Sequence, residues 1–115
     1  MKIIIPMYQK GSTNKMSAGR HWAQRKRLAD DYHLLIANAC RAIVAELEFP
    51  VTLALTFTFK KRPMDVSNCS FMAKMCEDGL VRCGILPDDS LPYVNRIITT
   101  IQTGDSDLIE VEIIQ

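Results

Sequence analysis

Val51-Thr52-Leu53-Ala54-Leu55-Thr56-Phe57-Thr58-Phe59 alternates without a fault. Val51, Leu53, Leu55, Phe57 and Phe59 fall on one face, and Thr52, Ala54, Thr56 and Thr58 fall on the other. That period of two, filled with β-branched and aromatic residues, is the signature of a strand with one buried face. The stretch runs straight into Lys60-Lys61-Arg62-Pro63, a basic exit where the proline takes the chain out of the sheet. Upstream, Trp22, Leu28, Ala29, Tyr32, Leu35, Ile36, Ala39, Cys40, Ile43, Val44 and Leu47 recur at steps of three and four. They predict a long amphipathic helix from about Arg20 to Leu47, ended by Phe49-Pro50, with Trp22 read as a core residue in preference to a base-stacking platform. Downstream, a second helix is predicted from about Asn68 to Cys83, with Gly84 in the position after its end.

The remaining elements are shorter. Residues 2–5 read as a strand that stops at Pro6, and Met7 to Gly19 reads as a polar loop. Strands are predicted at about 93–102 and 107–114, with Thr103-Gly104-Asp105-Ser106 as a hairpin connection between them. The order is βαβαββ. It predicts a single compact α+β domain over residues 1–115, with a mixed sheet and two helices.

Composition narrows the function classes. In 115 residues, a hydrophobic fraction of 48% and a charged fraction of 23% exclude disordered and fibrous chains. No apolar run approaches the roughly 18–20 residues that span a bilayer, and the start of the chain has no secretory pattern. The expectation is a cytoplasmic protein with no membrane partner. Its modest core suits an oligomer. Cys40, Cys69, Cys76 and Cys83 have no metal-ligand spacing. The last three recur every seven residues with Met72 and Leu80, and read as free core thiols.

The net charge of +1 hides an asymmetry. Residues 1–62 carry six Lys and five Arg against two Asp and two Glu; residues 63–115 carry one Lys and two Arg against six Asp and three Glu. Either the halves attract each other, or one holds an anionic and the other a cationic partner. Arg20, His21, Arg25, Lys26 and Arg27 sit at the predicted start of the first helix, where cations oppose the helix dipole. An anionic partner explains them. Arg20, Arg25, Lys26, Lys60, Lys61 and Arg62 form a candidate phosphate-tracking set.

Three acidic clusters follow. Asp65-Val66-Ser67-Asn68 has the residues of a helix cap, Pro87-Asp88-Asp89-Ser90 those of a turn, and Glu77-Asp78 those of a solvated helix face. A strand–helix–strand unit can, however, bring Asp65 and Asp89 together at one end of the sheet. Paired carboxylates bind magnesium, which activates water and neutralises charge on a phosphate. A phosphate-binding glycine loop and a Gly-x-Ser-x-Gly elbow are both absent, so a nucleotide cofactor and serine-esterase chemistry are set aside.

The stretch from Arg62-Pro63-Met64-Asp65-Val66-Ser67-Asn68 through the helix containing Lys74 to Gly84-Ile85-Leu86-Pro87-Asp88-Asp89 resembles the RusA family of Holliday junction resolvases. Ile5-Pro6, Ser12-Thr13-Asn14-Lys15 and Gly19-Arg20-His21-Trp22 look like the opening of the family's phage and prophage members. The resemblance implies a RusA-like fold and a homodimeric, magnesium-dependent endodeoxyribonuclease, with manganese as a substitute. Its substrate would be branched DNA, above all four-way junctions in recombination or repair. It implies Asp65 and Asp89 as metal ligands with Asp88 beside them, Lys74 as a catalytic cation, Asn68 and Ser67 next to the site, and Lys15 among the DNA-binding residues. Ser67 departs from the pattern, because the family has a carboxylate there. The alternative is a branched-DNA-binding protein of the same fold without nuclease activity.

Overall fold

The computed structural model describes residues 1–7, 22–41, 43 and 46–115. Lys15, Arg20 and the loop predicted over Met7 to Gly19 lie outside them from residue 8 onward. The elements are β1 (Lys2–Pro6), α1 (Trp22–Ala39), β2 (Val51–Phe59), a 3₁₀ turn (Val66–Cys69) continuing into α2 (Ser70–Arg82), β3 (Val94–Thr103) and β4 (Leu108–Ile114). One mixed sheet has the order β1-β4-β2-β3, with β2 and β3 parallel and the other pairs antiparallel.

The register shows why one face is buried. Ile3 lies opposite Val111 and Val111 opposite Leu55; Ile5 lies opposite Ile109 and Ile109 opposite Phe57. These side chains join Leu28, Tyr32 and Ile36 of α1 and Met72, Cys76 and Leu80 of α2 in one core. Cys69 and Cys76 are fully buried and free, as the seven-residue spacing predicts, and Cys83 is half-buried. Burial pushes the Cys76 thiol up to about 12, which keeps it unreactive.

Three expectations need correction. α1 stops at Ala39 rather than near Leu47. Arg41 N–H donates to Asn38 O and Ile43 N–H to Cys40 O, three-residue steps that tighten the last turn. Ile43 and Leu47 still pack on the core, so the apolar period outlives the helix. Second, residues 104–107 do not close a hairpin, because β2 lies between β3 and β4. The connection passes over the end of β2 instead. Gly104 N–H donates to Phe59 O at 3.0 Å, and a Cβ on Gly104 would stand 2.7 Å from Thr58 Cγ2. Third, Trp22 is 76% exposed, not core. It is the first residue of α1, on the same stripe as Ala29 and Ile36 but roughly one to two turns before the first buried position, Leu28. Both edges of β2 are bonded within the chain and its apolar face is covered, while Thr52, Ala54 and Thr56 on the other face are half-buried.

The helices meet closely where Gly79 faces Ile36. A Cβ on Gly79 would lie 2.9 Å from Ile36 Cβ. α2 then ends in a Schellman arrangement, with Gly84 at φ 85°, Gly84 N–H on Val81 O and Ile85 N–H on Leu80 O. Between the helices, both ring nitrogens of His33 are buried with no hydrogen-bond partner among the described residues. Burial holds the His33 pKa below its ordinary 6.5, and Arg82 adds repulsion against the attraction of Asp78 and Asp30.

Two predictions follow from this packing. Gly79→Ala is expected to cost about 1–3 kcal/mol, read as a lower urea midpoint; an unchanged midpoint would mean the helices part freely. For His33, the folded state favours the neutral ring while the unfolded chain takes up a proton near pH 6.5. Stability is therefore full above that pH and is lost as the pH falls toward the lower, folded value. Thermal melts across this range should show that loss, and His33→Leu should flatten it.

Candidate functional site

Parallel pairing of β2 and β3 puts the end of β2 and the start of β3 at opposite ends of the sheet. Asp65 follows the first and Asp89 precedes the second, so the two approach only if a connecting segment runs back along α2. The segment before β3 does so. Asp89 reaches the middle of the helix, where its Oδ2 accepts from Lys74 Nζ at 2.5 Å. The same ammonium lies 3.3 Å from Glu77 Oε1 and 3.2 Å from Asp78 Oδ1.

Lys74, Glu77 and Asp78 meet because residues three and four apart share a helix face. The carboxylate oxygens of Glu77, Asp78 and Asp89 lie within 4.8 Å of one another. Glu77 is buried, against the expectation of a solvated face, because it follows Ala73 by one turn and precedes Leu80 by another. Burial raises its pKa, and Lys74 opposes that rise. The Lys74 ammonium is held above its ordinary pKa, first by the hydrogen bond to Asp89, with burial opposing and Asp78 adding to it. One ammonium thus faces three carboxylates.

The other candidate residues take separate places. Asp88 accepts from Ser90 Oγ at 2.6 Å, which lowers its pKa, and lines a cavity of about 200 Å³ with Asp78, Val81, Arg82 and Asp89. Asp65 stands in the N-cap position of the 3₁₀ turn with an extended backbone, but its side chain makes no cap bond. Its backbone O accepts from Asn68 N–H at 2.9 Å, and it lies outside the converging acidic group. Ser67 is exposed, and its backbone O accepts from Ser70 Oγ at 3.0 Å. Asn68 is half-buried.

The described cations flank this region. Lys60, Lys61 and Arg62 are exposed on the turn after β2, where Lys60 N–H donates to Asp107 Oδ1. Arg25 lies 6.0 Å over the Phe71 ring, which ties the start of α1 to the first turn of α2, beside Ser67 and Asn68. Lys26 pairs with Asp30 at 3.0 Å. Among the described residues, no helix is long and apolar enough to cross a membrane.

Sequence reasoning missed Glu77 and Asp78 as partners of Lys74. The signal was the spacing itself, with a lysine three and four residues before two acids. The oxygen donors of Glu77, Asp78 and Asp89 fit a hard divalent cation such as magnesium, which takes carboxylates and keeps several waters. No family model matches this sequence, and no curated protein matches it significantly.

Removing the ammonium tests the cluster. Lys74→Met leaves three carboxylates facing one another and should lower stability by about 1–2 kcal/mol, a value discounted for the half-exposed lysine. Millimolar magnesium should restore the melting temperature of Lys74→Met more than it raises that of the unaltered protein. Equal shifts in the two proteins would show that the carboxylates do not act together.

Proposed function

We propose that this chain is a RusA-like, metal-dependent endodeoxyribonuclease that acts in the cytoplasm as a homodimer on branched DNA, four-way junctions above all. The observation that carries this reading is the meeting of Lys74 with Asp89. These residues come from separate parts of the stretch that resembles the family, and they converge with Asp78 and Glu77 into one acidic group holding a single cation.

Glu77, Asp78 and Asp89 would hold magnesium or manganese, with Asp65 and Asp88 at the margin. When bound, the ion supplies an activated water and neutralises charge on the phosphate. Lys74 offers a donor to the charge that develops on the phosphate oxygens. Lys60, Lys61, Arg62 and Arg25 hold backbone phosphates, which makes binding structure-selective and steeply dependent on salt. A four-way junction has near two-fold symmetry, and a C₂ dimer supplies two matching sites for paired nicks.

A second reading keeps the DNA binding and drops the cleavage. Two observations favour it: Ser67 supplies no carboxylate, and the Lys74 ammonium already lies among the three acids.

The deciding experiment incubates a labelled four-way junction and a matched duplex with the protein, with and without magnesium or manganese. Paired nicks confined to the junction, dependent on metal and lost in Asp89→Asn, are the expected result. A gel shift with no cutting in either metal would leave the binding protein. Ser67→Asp separates the two further. It should raise cutting at least tenfold in a decayed nuclease, and should do little or harm if serine is how this chain works.

A further inference from the structure

Trp22 is the sole tryptophan of the chain and is 76% exposed at the start of α1. Two hollows border it. One, of about 370 Å³, includes Asp30 and Asp31 in its lining. The other, of about 280 Å³, is lined by Trp22, Arg25, Lys26, Ala29, Phe71 and Met75. This second hollow contains two aromatic rings and two cations and no carboxylate. Arg25 lies 6.0 Å over the Phe71 ring, which places its charge against one wall of the hollow.

We propose that this hollow between α1 and α2 is a stacking site for an unpaired nucleobase of single-stranded DNA. Trp22 supplies the ring face and Arg25 takes a flanking phosphate, while Lys26 exchanges its exposed pairing with Asp30 at 3.0 Å for a second one. The ligand class follows from what is exposed there. A buried ring would serve packing, whereas an exposed indole beside two cations offers a π-face and charge to a chain of bases and phosphates. Stacking is tolerant of sequence, and it would select DNA with splayed bases over a continuous duplex. The inference rests on the DNA-binding reading above and adds the unpaired base as the recognised feature. Where a pair opens at the point of strand exchange, branched DNA presents such a base.

The test uses Trp22 emission in EDTA, so that cleavage plays no part. The full chain and Asp89→Asn are titrated with a thymidine oligonucleotide, a matched blunt duplex, inorganic pyrophosphate, and anionic phosphatidylglycerol vesicles. The expected result is quenching by the oligonucleotide at a concentration at least fivefold below that needed with duplex, with none from pyrophosphate. Binding of the labelled oligonucleotide, read by anisotropy, should weaken roughly five- to a hundredfold in Trp22→Ala and recover to within about threefold in Trp22→Phe. Thermal melting checks that both variants fold. Unchanged emission on saturation with oligonucleotide would overturn the proposal, as would equal oligonucleotide binding by Trp22→Ala. A response to vesicles stronger than to DNA would make this a membrane-facing patch and also overturn it. Junction cutting that persists while Trp22 stays silent would sink this inference and leave the nuclease standing. Quenching without any cutting would do the reverse.

Discussion

Strand β2 is committed on both edges and on one face. Its apolar face presents Val51, Leu53, Leu55, Phe57 and Phe59 to the helices, and its backbone is bonded to β3 on one edge and to β4 on the other. Because β3 runs parallel to it, the chain must travel the length of the sheet between them, and α2 is that crossover. Because β4 takes the other edge, the chain must also pass over the end of β2 to reach it, which is where Gly104 touches Thr58 and Phe59. The basic exit Lys60-Lys61-Arg62 is thereby fixed beside the crossing. The return segment before β3 is laid along α2, which carries Asp89 to Lys74. The candidate site is a consequence of the strand order.

That dependence explains what the sequence revealed and what it concealed. A period of two needs only neighbouring residues, so β2 was legible from residue types alone, as were the element order and Gly84 at the end of α2. Strand order needs distant partners. Residues 103–106 have hairpin chemistry, yet β2 outcompetes β4 for the edge of β3, since its apolar face belongs at the centre of the sheet. The end of α1 was illegible for a related reason. Ile43 and Leu47 keep the helical period because they pack on the core, and packing does not require that the backbone stay helical. Trp22 was read by its type and its period, which sets it on the stripe of Ala29 and Ile36, but it begins the helix, before the buried positions start at Leu28.

Within the site, the sequence named Lys74 and Asp89 but not what surrounds them. Glu77 and Asp78 look like a solvated pair because Glu and Asp are seldom buried. Glu77 is buried because its spacing from Ala73 and Leu80 leaves it no other face, and the nearby ammonium offsets part of the cost of burying it. A carboxylate in that position is poorly solvated and gains more from a cation than an exposed one does. The acidic group is therefore predisposed toward positive charge from whatever source.

The uneven charge along the chain takes on a clearer meaning in this light. Lys74 and its three carboxylates all belong to the acidic half, and Lys26 pairs with Asp30 inside the basic half. Each of these pairs lies within one half, whereas Lys2 and Glu110 pair across the two at 3.8 Å. Lys74 also supplies one positive charge where three acids converge, so a divalent cation arriving there competes with an ammonium already in place. The side chain of Lys74 is half exposed and can swing outward, whereas Glu77 cannot leave the core. A cation exchange at this site would thus move the lysine toward solvent and leave Glu77 in place.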